Sequence, residues 1–126
     1  MSLRTDLGKV RGLGSAKEGV AHWWAQRLTA VALVPLVLWF VSQVVGLAGA
    51  DLAAVRAWMA NPFSAILLVL LIGATFHHAQ LGLQVVIEDY VHGEACKIAS
   101  IIIVKFLAVA LAATGIFSVL KIAFAG

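Results

Sequence analysis

The sequence has few charged residues and a single cysteine, and both shortages restrict what the chain can be. Only 12% of its 126 residues are charged, whereas 63% are hydrophobic. A soluble domain has about 25% charged and about 45–50% apolar residues, and a chain this short could not bury the excess in one core. We therefore predict a membrane protein that forms one unit over residues 1–126.

The single cysteine also limits the chemistry. Cys96 has no second cysteine with which to form a disulfide within the chain, and it cannot by itself ligate an iron–sulfur cluster. The chain is too short to hold a membrane bundle and a soluble catalytic domain. A self-sufficient redox enzyme is therefore excluded, and we expect no catalytic activity from the chain alone.

Three long apolar runs occupy residues 28–48, 63–87 and 98–124. Each reaches the roughly 20 residues that a helix needs to cross a hydrocarbon core of about 30 Å. Pro35 lies within the first run, where a membrane helix tolerates it if neighbours satisfy the freed backbone groups. Pro62 is placed to begin the second helix. The sequence predicts an all-α membrane protein with three transmembrane helices, connected through Asp51–Asn61 and Glu88–Lys97.

The basic residues are unevenly distributed around these runs. If the N-terminus is cytoplasmic, six of them lie inside and two outside: Arg4, Lys9, Arg11, Lys17, Arg27 and Lys97 against Arg56 and Lys121. This bias predicts a cytoplasmic N-terminal segment over residues 1–27 and a periplasmic C-terminus. Membrane orientation explains the basic head, so we expect no binding to nucleic acid. The first run is too long for a signal peptide.

The second run carries an unusual number of polar side chains for a membrane helix, including His77 and His78. Consecutive residues of a helix point about 100° apart, so the two rings cannot face the same partner. Gly82 lies one turn after His78 on the same face, which leaves room beside that ring for a flat ligand such as haem. Three roles remain open for His78: a metal or haem ligand, a hydrogen bond to another helix, or a proton relay.

An acidic residue and a tyrosine follow at the inner end of the same run. Asp89 comes eleven residues after His78, which on a helix is about 20° past three full turns and roughly 16 Å along the axis. If the helix persists, the two residues share a face. Tyr90 could donate a hydrogen bond to a carbonyl while Asp89 exchanges protons with water. The alternative is an interfacial tyrosine beside a solvated carboxylate.

Two stretches of the chain resemble a known family. The first is Gly19–Ala30, with its Trp23-Trp24-Ala25-Gln26-Arg27 core, and the second is His78–Val91, with histidine, glycine and Asp-Tyr at the spacing H-x3-G-x6-D-Y. Together with three spans and an inside N-terminus, they resemble the hydrophobic membrane anchor of bacterial succinate dehydrogenase. That enzyme is succinate:quinone oxidoreductase, or respiratory complex II, and its anchor packs against a companion anchor subunit.

The resemblance implies a role in haem binding for several residues. His78 would be one axial ligand of a b-type haem, and a histidine of the companion anchor would be the other. Gly82 would pack against the haem. Arg27 would lie near the haem propionates or the quinone pocket, and His22 is a second candidate for a propionate. The doubling His77-His78 departs from the family pattern, and the spacing to Gly82 and Asp89 selects His78.

The resemblance also implies a substrate, partners and a location. Tyr90 would hydrogen-bond a ubiquinone carbonyl near the cytoplasmic surface, with Asp89 beside it. The partners would be the companion anchor, the iron–sulfur subunit and the flavoprotein subunit, in the lipid of the bacterial inner membrane. Three alternatives remain: a fumarate reductase anchor, an anchor that only tethers and holds no haem, and a small proton-coupled transporter that uses the intramembrane histidines.

Overall fold

The computed structural model describes residue 3, residues 5–12 and residues 18–125. These residues form five helices and no strand: α1 (Asp6–Arg11), α2 (Glu18–Gly46), α3 (Leu52–Ala60), α4 (Pro62–Tyr90) and α5 (Glu94–Ala125). Within this part of the chain, α2, α4 and α5 are long and apolar enough to cross a membrane. The predicted class, an all-α membrane protein with three spanning helices, is confirmed. Arg4 and Lys17, which contribute to the charge bias, lie outside the described residues.

The long helices extend beyond the apolar runs that predict them. α2 begins ten residues before Leu28 and continues through Pro35, and α4 and α5 are separated only by residues 91–93. Most of Glu88–Lys97, predicted as a connection, is therefore helical. Hydropathy marks the part of a helix that lies in hydrocarbon, whereas the helix itself continues until its backbone hydrogen bonds are capped or broken.

A short helix, α3, occupies the other predicted connection. The Asp51 side chain accepts a hydrogen bond from the backbone N–H of Ala54 at 2.8 Å and so caps the helix N-terminus. Asn61 ends α3 and caps α4, because its side chain accepts from the N–H of Phe63 at 3.0 Å while Pro62 takes the first helical position. The prediction for Pro62 is confirmed, and the predicted connection Asp51–Asn61 joins α2 to α4 as a short helix.

Trp58, a tryptophan in this connection, joins α3 to α2. Its ring stacks on Trp39 with centroids 6.0 Å apart, and its Nε1–H donates to Oε1 of Gln43 at 3.0 Å. Next to this pair, Ala65, Leu68 and Val119 form the small buried cluster of the fold. α3 is thus fixed against the ends of the longer helices.

α4 is the central helix, since it packs against both α2 and α5. Its contact with α5 is close at Gly115, where an added Cβ would lie 3.2 Å from Cγ2 of Ile72. Its contact with α2 includes the half-buried His78. Apolar side chains cover the outward faces of all three long helices, as expected for surfaces that meet lipid or other membrane subunits.

Candidate functional site

His78 forms a hydrogen bond between α4 and α2. Its Nδ1 lies 2.9 Å from Oγ1 of Thr29, and the same hydroxyl lies 2.7 Å from the backbone oxygen of Ala25 and 3.1 Å from that of Gln26. The bond occupies Nδ1 and leaves Nε2 as the nitrogen available to a further partner. The hydrogen bond to another helix, one of the three roles that the sequence leaves open for His78, is therefore observed. This bond is compatible with metal ligation through Nε2.

The surface of α2 that faces α4 carries two further polar side chains. His22, Gln26 and Thr29 follow one another at intervals of four and three residues and so share a helix face. Within the described part of the chain, Nε2 of His22 and Oε1 of Gln26 are buried without a hydrogen-bond partner. Such atoms are costly in an apolar environment unless a bound group or another subunit satisfies them.

Gly82 lies in the same contact between α2 and α4. An added Cβ there would be 3.6 Å from Nε2 of Gln26, an ordinary contact distance. Gly82 is one turn beyond His78, as the sequence predicts. His78, Gly82 and Gln26 thus lie around one junction of the two helices, and His22 lies one turn before Gln26 on α2.

His77 points elsewhere, towards α5. It borders a groove of about 480 Å³ whose polar side chains come from three helices: His22, His77, Gln80, Gln84, Glu88 and Lys105. Three of these side chains on α4 form a hydrogen-bonded row: Gln80 donates to Gln84 at 3.2 Å, and Gln84 donates to Glu88 at 2.9 Å. His78 does not line this groove. The predicted divergence of the two neighbouring rings is confirmed.

Arg27 is not brought to the His78 junction by this chain. It comes two residues before Thr29, so the two side chains leave α2 about 160° apart. Its guanidinium lies 5.4 Å from the ring centroid of Trp23, which in turn packs edge-on against Trp24. An anion that met Arg27 would approach α2 from the side away from Thr29.

Asp89 and Tyr90 complete α4, which runs without interruption from His78. The condition set by the sequence, that the helix persists over these eleven residues, is therefore met. Tyr90 is 77% exposed, and Asp89 is exposed beside it. The hydroxyl is open to a partner that arrives from outside this chain.

No group of three or more His, Cys, Asp or Glu side chains in the described ranges could hold a metal ion. The sequence does not single out Gln26 or Thr29 as site residues. Gln26 lies just before the first apolar run and Thr29 lies within it, and both share a helix face with His22. A polar stripe at helical spacing in an apolar segment is the signal that could find them.

Comparison with known proteins places the chain. The family model for the succinate dehydrogenase/fumarate reductase transmembrane subunit matches residues 1–115. The chain belongs to this family. No solved structure gives a significant match.

The curated relatives carry consistent names. The succinate dehydrogenase hydrophobic membrane anchor subunit of Rickettsia bellii is 34% identical over 106 residues, which cover 84% of this chain and 85% of that protein. The protein of the same name from Paracoccus denitrificans is 36% identical over 81% of this chain and 79% of its own length. The resemblance inferred from the sequence motifs is confirmed, and the chain is a multi-pass membrane anchor of this family.

Proposed function

We propose that the chain anchors a succinate:quinone oxidoreductase in the bacterial inner membrane. It would tether the flavoprotein and iron–sulfur subunits, share a b-type haem with a companion anchor, and form part of the ubiquinone site. The names of the curated relatives support the anchoring role. The broad apolar outer surface of α2, α4 and α5 supports a place among lipids and membrane subunits.

The observation that carries the haem proposal is the geometry of His78. Its Nδ1 is held by Thr29 at 2.9 Å, which leaves Nε2 as the ligating atom. Nε2 of His22, buried without a partner one turn before Gln26 on α2, is a nitrogen suited to donate to a propionate at the edge of a flat ring. Bound haem would supply a one-electron carrier; His78 would bind its iron, and His22 would donate to a propionate.

Gly82 and Arg27 would contribute from different sides of α2. Gly82 would keep the haem side of the junction free of bulk, since only the Gln26 side chain lies near the position of its missing Cβ. Arg27, on the opposite side of α2 from Thr29, would meet a propionate or a quinone only at the edge of the site. Its fixed positive charge would favour an anion there.

For ubiquinone, we propose that Tyr90 donates a hydrogen bond to a carbonyl oxygen and that Asp89 exchanges protons with water beside it. The exposed hydroxyl at the end of an intact α4 supports this role. Reduction of the quinone to quinol takes up two electrons and two protons. The electrons would come from succinate through the flavin and iron–sulfur subunits, and an exposed carboxylate is suited to pass on the protons.

The proposed orientation gives a direct test of topology. With the N-terminus cytoplasmic and three crossings, a reporter at the N-terminus is expected to react only with cytoplasmic probes, and one at the C-terminus only with periplasmic probes. Alkaline phosphatase and fluorescent-protein fusions at the two ends measure this. Accessibility of both ends from one side would contradict the three-span arrangement.

Purification of the tagged chain in mild detergent tests the anchoring function. We expect flavin and iron–sulfur subunits to co-elute in fixed proportion, with a b-type haem spectrum after reduction by dithionite. The polar groove beside His77 is the feature that favours the alternative, a proton-coupled transporter. A chain that purifies by itself as a homo-oligomer, without flavin, would support the transporter and contradict the anchor.

A fumarate reductase anchor and a haem-free anchor give different outcomes in the same preparation. The former would couple quinol oxidation to fumarate reduction in preference to the reverse reaction. The latter would co-elute with flavin yet show no haem absorbance. The same preparation therefore tests the direction of catalysis and the presence of haem separately from the anchoring role.

A further inference from the structure

The hydroxyl of Thr29 has only one hydrogen, and its surroundings show where that hydrogen goes. Oγ1 of Thr29 lies 2.7 Å from the backbone oxygen of Ala25. A carbonyl oxygen cannot donate, so a contact this short between the two oxygens requires the Thr29 hydrogen between them. This bond to the preceding turn is a common arrangement for threonine within a helix.

The position of that hydrogen fixes the tautomer of His78. Since the Thr29 hydroxyl donates to Ala25, its oxygen can only accept in the 2.9 Å contact with Nδ1 of His78. Nδ1 must then carry the hydrogen, and Nε2 of the neutral ring presents a lone pair. In the opposite tautomer Nε2 would be an N–H donor and could not bind a metal.

We propose that Thr29 is a positioning residue for His78. Its oxygen holds the ring across the α2–α4 junction and selects the tautomer whose Nε2 can bind haem iron, so this inference rests on the proposed haem ligation. Histidine ligands commonly donate their second ring N–H to an acceptor that orients them and raises their basicity. Here a hydroxyl of a neighbouring transmembrane helix would be that acceptor.

The test compares Thr29→Val with the unaltered complex. Valine keeps the shape of threonine and removes the oxygen, so His78 loses its acceptor while the helix contact remains. We expect the affinity of the complex for haem to fall about 10–100-fold, the range typical for removing the hydrogen-bond partner of a metal ligand. We also expect a higher midpoint potential of the remaining haem, because a less basic imidazole stabilises ferric iron less.

The chain offers a matched control in α5. Thr114 makes the same bond to the preceding turn, with Oγ1 2.7 Å from the backbone oxygen of Ala110, but it is exposed. Thr114→Val is therefore expected to leave haem retention and midpoint potential unchanged. Thr29→Ser, which keeps the oxygen, is expected to retain both near the values of the unaltered complex.

Several results would overturn the inference. Unchanged haem retention and potential in Thr29→Val, or equal defects in Thr29→Ser and Thr29→Val, would show that the oxygen has no role. If Thr29→Val fails to assemble, Thr29→Ser and Thr29→Ala give the same comparison, since they differ only in the oxygen. A flavin-containing complex without haem before any substitution would instead overturn the proposed haem ligation itself.

Discussion

Replacing His78 by alanine is expected to abolish the bis-histidine spectrum of the b-type haem in the assembled complex. Nε2 of His78 is the nitrogen left available by the bond to Thr29, and no other histidine of the chain lies on that face of α4. We expect the reduced-minus-oxidised absorbance of the haem, measured per flavin, to disappear or to change to that of a different ligand set.

The neighbouring histidine is the matched control. His77 borders the groove next to α5, so His77→Ala is expected to leave the haem spectrum close to that of the unaltered complex. An assembled His78→Ala complex with an unchanged spectrum would rule out His78 as the ligand. Loss of the spectrum in His77→Ala alone would reassign the ligand to that residue.

Replacing Tyr90 by phenylalanine is expected to slow ubiquinone reduction by about two- to tenfold. The substitution removes only the hydroxyl, and a hydrogen bond contributes about 0.5–1.5 kcal/mol, where about 1.36 kcal/mol corresponds to a tenfold change in rate. Tyr90 is 77% exposed within this chain, so the loss should not disturb its fold. The measurement is the rate of succinate-dependent ubiquinone reduction per flavin.

An artificial electron acceptor that takes electrons before the quinone site provides the control for Tyr90→Phe. Succinate oxidation with that acceptor, and the flavin content, should stay near normal. Equal loss of both activities would indicate faulty assembly. If Tyr90→Phe reduces ubiquinone at the normal rate, Tyr90 is only an interfacial aromatic residue.

Hydropathy and charge predict the three long helices, because crossing hydrocarbon requires long apolar segments whatever their neighbours are. The helix ends depend on local capping, which hydropathy does not measure. Asp51, for example, begins α3 through a single bond to the N–H of Ala54. An acidic residue before an Ala-rich segment is a recognisable capping signal, but hydropathy gives it no weight in so short a connection.

In the candidate site, relations within one helix could be predicted from the sequence, whereas contacts between helices could not. The relation of His78 to Gly82 and Asp89 follows from helix geometry alone, since all three lie on α4, and the unbroken helix preserves it. The pairing of His78 with Thr29 joins residues 49 positions apart in sequence. It depends on how α2 is rotated and shifted against α4, and one sequence contains no direct measure of that packing.

The short link between α4 and α5 has a consequence for biogenesis. Residues 91–93 reach only about 10 Å when fully extended, so the adjoining ends of the two helices must lie close together once both helices have formed. The pair is therefore expected to enter the bilayer as a helical hairpin. α2 is connected to α4 through residues 47–61 and packs against it through side chains, so the Thr29–His78 bond is expected to form only once α2 has packed against the α4–α5 pair.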